Sequence, residues 1–260
     1  MNQLVGDLAR LLDLADGLVW AAALAFLRVG AAVALMPGLG ESAVPQRVKL
    51  AAALVLTLVI TPFVAEHVAA TGLRPGLAAL GAEALAGLIL GIGLRLFVMA
   101  LQTAASIIAQ ATTLSQLFAG AAPEPQPAIG NLLLIAGVAL ALAAGLHVRA
   151  AGMLVLSYDL FPAGAYPDPA RVLDWGLGRV GTTFALAFSL AAPFVIASTV
   201  YNLAIGAINR AMPQLMVAMV GAPALTLGAL ALLSVVAPLL LAVWLDAFAA
   251  QVAQPFGPSP

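Results

Sequence analysis

Six ionisable residues stand inside otherwise apolar stretches of the chain: Arg28, Glu83, Arg95, His147, Arg149 and Asp246. In hydrocarbon each is costly, and such groups mark either a proton or ion pathway or pairs satisfied within protein. Glu83 and Arg95 lie twelve residues apart. That is about 120° around a helix and some three turns along it, so the two cannot pair on one straight helix. The favoured reading is that these groups pair across helices or subunits, or sit at helix ends outside the bilayer; a relay is the alternative. A further charge, Arg210, stands in "INRAMPQL" (208–215), between two of the most apolar stretches.

Enzyme signatures do not survive inspection. "GLGRVG" (176–181) has the spacing of a dinucleotide fingerprint, but it follows Asp174-Trp175 and an irregular loop where a strand is required. "SYDL" (157–160) carries the Tyr-Asp pair of intramembrane aspartyl proteases without the second Gly-x-Gly-Asp motif; Gly38-Leu39-Gly40-Glu41 falls in a loop. "GLILG" (87–91) is a Gly-x-x-x-Gly, which permits close helix packing and implies no chemistry. There is no cysteine, which excludes disulfides, thiolate metal sites and cysteine nucleophiles. The two histidines, His67 and His147, are far apart in sequence, so no metal and no cofactor is expected. The chain reads as non-enzymatic.

The elements that position these residues belong to a membrane or membrane-complex protein. Of 260 residues, 63% are hydrophobic and 8% charged, with mean hydropathy +1.11, against roughly 25% charged in a soluble domain. A net charge of −1 gives no reason to expect a nucleic-acid partner. At the N-terminus, Leu4, Val5, Leu8, Leu11, Leu12 and Ala15 fall on one helix face. Asp7, Asp13 and Asp16 against a single Arg10 argue against a signal peptide, and the face reads as a packed amphipathic entry helix, with an interfacial helix lying on lipid as the alternative. Six apolar blocks follow, at 17–36, 48–65, 76–109, 128–156, 177–208 and 214–249. Pro/Gly-rich breaks separate them at 36–47, 119–130 and 161–174, the last closing with a helix start at Asp168-Pro169. The final block is expected to bend or split at Pro223 and Pro238.

Two features sit badly with an ordinary six-span protein. The third block, as one helix, is about 50 Å long, whereas a bilayer core takes roughly 20 helical residues. With the N-terminus outside, alternation puts Arg47, Lys49 and Arg210 inside but Arg10, Arg74, Arg171 and Arg179 outside, and the opposite orientation gains almost nothing. The clear Lys/Arg asymmetry of short loops in polytopic proteins is missing.

Two stretches carry a family resemblance. "FLRVGAAVALMPGLGESAVPQRVKLAAALVLTLVITP" (26–62) combines an Arg in the first span, a Pro-bounded loop, Val-Pro-x-Arg-x-Lys and a second span ending in Pro. "YNLAIGAINRAMPQLMVAMVGAPALTLGALALL" (201–233) adds Asn-Arg-x-x-Pro-Gln and then Val-Gly-x-Pro. In order and at this spacing, the sequence resembles the FliR/SctT family, on its flagellar branch.

That resemblance implies a core subunit of the flagellar type III export gate in the bacterial inner membrane, at one copy per gate. The implied partners are FliP, FliQ, FlhB and FlhA, and the implied cargo is unfolded export substrate passing through a pore. The implied fold is all-α, built of helical hairpins of long apolar helices, with a FliP-like part at 1–176 and a FliQ-like hairpin at 177–255. Much apparently transmembrane sequence packs on protein in such gates, which would account for both anomalies. Asn209 and Arg210 would then end one arm of the hairpin, and Met212, Pro213 and Gln214 would lead into the next. Arg28, Arg47 and Lys49 are structural or partner-contact candidates on the same ground. The family's pore plug corresponds to 110–130, where Ser115, Gln116, Leu117 and Phe118 are the plug candidates. There the usual Gly-x-Ser-x-Ala and Asp-Pro pattern is replaced by Leu114-Ser115-Gln116-Leu117-Phe118 and Glu124-Pro125. A stand-alone transporter or channel using Arg28, Glu83, Arg95 and Arg149 is the rival.

Overall fold

A computed structural model describes residues 2–71, 76–112, 128–212 and 217–257. Among these residues the chain is all-α, without strands, as expected. The elements are α1 (Asn2–Leu35), α2 (Gln46–Thr71), α3 (Leu77–Thr112), α4 (Ala128–Ala143), α5 (Leu146–Leu160), α6 (Pro169–Ala211) and α7 (Val217–Ala253). Five are long and apolar enough to cross a membrane, or six spans if the broken pair α4 and α5 counts as one.

Several boundaries differ from the apolar blocks. The N-terminal amphipathic stretch and the first block are one continuous helix, α1. Pro62 does not end the second span, because α2 runs through it to Thr71; a proline inside an apolar helix forfeits a backbone bond without having to stop the helix. The block at 128–156 is instead broken at Gly145, whose φ of 80° only glycine adopts readily. The last helix is not split: α7 continues past Pro223 and Pro238. The start of α6 is as read, with the Asp168 carboxylate accepting the Ala170 N–H at 3.0 Å and Pro169 at the first helical position.

The chain forms two compact units. The first comprises residues 1–95, 142–178 and 250–258. Its packing is set by α3, where Gly87 and Gly91 lie one helical turn apart. A Cβ at Gly87 would strike the Arg28 carbonyl oxygen, and one at Gly91 would stand 3.0 Å from the Ala32 oxygen. The two backbones therefore touch, with rising numbers on α3 matched by rising numbers on α1. The helices run parallel, as α1 and α3 must when α2 returns between them. The Gly-x-x-x-Gly is thus a packing device.

The second unit comprises residues 96–141, 179–249 and 259–260. At its centre Trp244 is fully buried, donates its indole N–H to the Phe97 carbonyl at 2.8 Å and stacks on Phe248 at 5.4 Å. Gly137 leaves room for Leu101, whose Cδ1 would be 2.5 Å from a Cβ there. The Tyr201 hydroxyl donates to the Gly221 carbonyl at 2.7 Å and ties α6 to α7.

Candidate functional site

The largest concentration of buried polarity lies in the first unit, on the face of α3 that meets α1. Glu83 is one turn before Gly87, so the close approach allowed by the glycines sets it beside Arg28. The guanidinium donates from Nε to Glu83 Oε2 at 2.7 Å and from Nη2 to Glu83 Oε1 at 3.1 Å. The two side chains are 1% and 0% exposed. Such a pair holds only if its remaining hydrogen-bonding positions are also filled.

They are filled from α5 and the turn after it. Arg28 Nη1 donates to Ser157 Oγ at 2.9 Å, and Nη2 also reaches the Phe161 carbonyl at 2.9 Å. The guanidinium carbon stands 3.5 Å from the Tyr158 ring centroid, a cation–π contact. The Tyr158 hydroxyl in turn donates to Glu83 Oε2 at 3.1 Å. The Gly164 N–H donates to Glu83 Oε1 at 2.9 Å. Gly164 is the third residue of a β-turn closed from Ala165 N–H to Pro162 carbonyl, and its φ of 70° is the positive value that a type II turn requires there. A single carboxylate and a single guanidinium thereby fasten α1, α3, α5 and the 161–164 turn.

A second pair stands some three turns along α3. Arg95 Nη1 donates to Glu41 at 2.6 Å, with both side chains partly exposed. Lys49 Nζ donates to the Gly40 carbonyl at 3.3 Å. The 36–45 loop is held at neighbouring residues by two cations from different helices.

The sequence-derived candidates divide accordingly. Arg28 is an internal structural residue, and Lys49 braces a loop. Arg47, Asn209 and Arg210 are exposed, the last two in the closing turn of α6, where a cation meets the helix's negative end. His147, Arg149 and Asp246 are also exposed. Ser115, Gln116, Leu117, Phe118, Pro213 and Gln214 lie outside the described residues. Sequence reasoning missed Glu41, Ser157, Tyr158 and Gly164. Two of them, Ser157 and Tyr158, stand in "SYDL" and serve the buried centre, while Asp159 faces His67 at 3.4 Å in an exposed pair. No cluster of metal-ligating side chains exists among the described residues.

The other notable feature is apolar exposure. The most apolar 18-residue stretches of α2, α6 and α7 are each only 22% buried within the chain, against 61% in α3. Leu58, Phe63, Phe188, Leu203, Val235 and Leu239 are among the large side chains left more than half exposed. A helix that is apolar all round needs lipid or partner protein over its surface.

The family described as "Bacterial export proteins, family 1" matches residues 19–251. The flagellar biosynthetic protein FliR of Caulobacter vibrioides is 35% identical over 237 residues, covering 88% of this chain and 93% of that protein. FliR of Escherichia coli is 29% identical over 218 residues, covering 82% and 83%. FliR of Pectobacterium carotovorum is 26% identical over 211 residues, covering 80% of each. With a match spanning both units and nearly all of its length, the chain belongs to the FliR family of bacterial export proteins.

Proposed function

We propose that the chain is a non-enzymatic core subunit of the flagellar type III export gate, in the bacterial inner membrane at the flagellar basal body. It assembles as one copy with FliP and FliQ, and meets FlhB and FlhA. Residues 1–176 play the FliP-like part and 177–255 the FliQ-like hairpin. Together with its partners it encloses a pore for unfolded flagellar substrates, and the segment around Ser115, Gln116, Leu117 and Phe118 plugs that pore when closed. Arg47, Asn209, Arg210, Pro213 and Gln214 face partner subunits.

One observation carries the reading furthest, beside the family itself. Helix α6 has 43 residues, and its most apolar 18-residue stretch is only 22% buried. At ~1.5 Å per residue it is about 65 Å long, roughly twice a bilayer core. Its apolar surface cannot all lie in lipid, so part of it must be covered by protein. The bracing of α1, α3 and α5 by the Arg28 centre supports a rigid subunit more than a moving relay, since every polar group in it is engaged.

The test is complementation. Expression in a flagellated cell lacking its own FliR, with this chain's cognate FliP and FliQ supplied, is expected to restore secretion of hook and filament subunits. Restored assembly of a stable complex without any export would leave the family membership intact and remove the gate role.

A further inference from the structure

We infer that the aromatic cleft at the head of α6 is a peptide-recognition site for a short segment in which proline precedes an aromatic residue, and that this chain fills it with its own residues 254–257. The site lies wholly within the first unit and does not rest on the export reading.

The walls come first. The Trp175 indole lies against the backbone of Gly93: a Cβ there would stand 3.1 Å from Cζ2 and 3.2 Å from Cη2. Tyr166 lies over Gly81, where a Cβ would meet its hydroxyl at 2.8 Å. Phe161 is held through its own carbonyl by Arg28, and the turn after it through Gly164 by Glu83. The shape of the cleft is therefore fixed by α3 and the buried ion pair, not by its occupant.

The occupant is a turn at the end of α7, closed from the Gly257 N–H to the Gln254 carbonyl at 3.1 Å. Helix α7 ends at Ala253, and the chain leaves it through Gln254. The Pro255 carbonyl accepts two donors at once, the Trp175 indole N–H at 2.8 Å and Gln251 Nε2 at 3.0 Å. Proline itself brings no N–H to satisfy. The Phe256 ring then packs edge-on to Phe161 at 4.9 Å and tilted against Trp175 at 5.3 Å. The indole N–H on the prolyl carbonyl and the aromatic anchor beside it together select a turn in which proline precedes an aromatic ring. The fit is partial: about 320 Å³ of cleft stays open beside Phe256, bordered by Tyr166, Pro167 and Val172, with the exposed Asp168–Arg171 pair on the same wall. Phe256 itself is only half-buried, so it can leave without opening a core.

The cysteine-free chain allows a direct test in the full protein, co-expressed and purified with its cognate FliP and FliQ, whose own cysteines are replaced. Gln254→Cys labelled with bimane, a dye quenched on contact with tryptophan, reports the segment in its cleft. Quenching is expected in the otherwise native chain and lost with either Trp175→Phe or Phe256→Ala. Since a tethered segment competes at an effective concentration in the mM range, a free peptide of residues 250–260 at several mM is expected to displace the labelled segment and brighten the dye. The same peptide carrying Phe256→Ala is expected to need about tenfold more, the worth of one aromatic anchor. A dye as bright in the native chain as with Trp175→Phe, or equal action of the two peptides, would overturn the inference.

Discussion

At the scale of single residues, removing one partner of the Arg28–Glu83 pair leaves the other charge, together with a ring, a hydroxyl and two backbone groups, facing an unfilled buried site. Arg28→Met or Glu83→Gln is therefore expected to destabilise the first unit by about 3–5 kcal/mol, read as a lowered melting temperature and reduced yield of the assembled complex. The double change Arg28→Met with Glu83→Leu is expected to recover part of this loss. Recovery is incomplete because the part-buried Phe161 carbonyl and Gly164 N–H lose their partners. If the double variant is no more stable than the worse single one, the pair is not what organises the site. The sequence marked Arg28 and Glu83 individually, since each is a charge in an apolar stretch. It did not mark their union, because they are 55 residues apart and nothing local encodes the register of α1 on α3. Glu41 looked like a loop residue and is one; only the fold brings Arg95 to it.

At the scale of elements, the close contact of α1 and α3 depends on Gly87 having no side chain. Gly87→Leu is expected to force the helices apart, costing at least the 1–3 kcal/mol typical of overpacking and disrupting the Arg28 centre one turn away. Gly17→Ala, in open space within α1, serves as the control and is expected to leave the melting temperature unchanged or slightly raised. Boundaries governed by local chemistry were legible: Asp168-Pro169 supplies both a cap and a favoured first residue. The break at Gly145 was not, because "AGLHVRA" continues an apolar run and positive φ becomes visible only in the folded backbone. Pro62 was over-read as the end of a span, and the split expected at Pro223 or Pro238 does not occur, since the cost of a proline is modest beside that of ending an apolar helix in lipid. The segment around Phe118 bears a further prediction that belongs to this scale. Deleting 115–122 is expected to leave the gate assembled but the membrane permeable to small molecules, with Phe118→Ala giving a weaker leak. No ring of charges is present in 115–122 to hold ions back once its volume is gone. A tight membrane around an assembled deletion complex would assign the seal to another element.

At the scale of the whole molecule, what matters is how much apolar surface the chain leaves for others. The long apolar helices were readable from hydropathy, and the all-α class followed from the family resemblance. The need for partners was readable only as an anomaly, in helices too long for a bilayer and loops without charge bias. The structure gives that anomaly a physical form: α2, α6 and α7 are apolar on nearly all sides and mostly uncovered by their own chain. Produced alone, the chain is expected to aggregate or be degraded in detergent.

The most direct measurement is native mass spectrometry of the chain co-expressed and purified with its cognate FliP and FliQ. The account expects one discrete assembly holding a single copy of this chain. A well-behaved monomer that ignores FliP and FliQ, and that moves a small solute across liposomes, would contradict it.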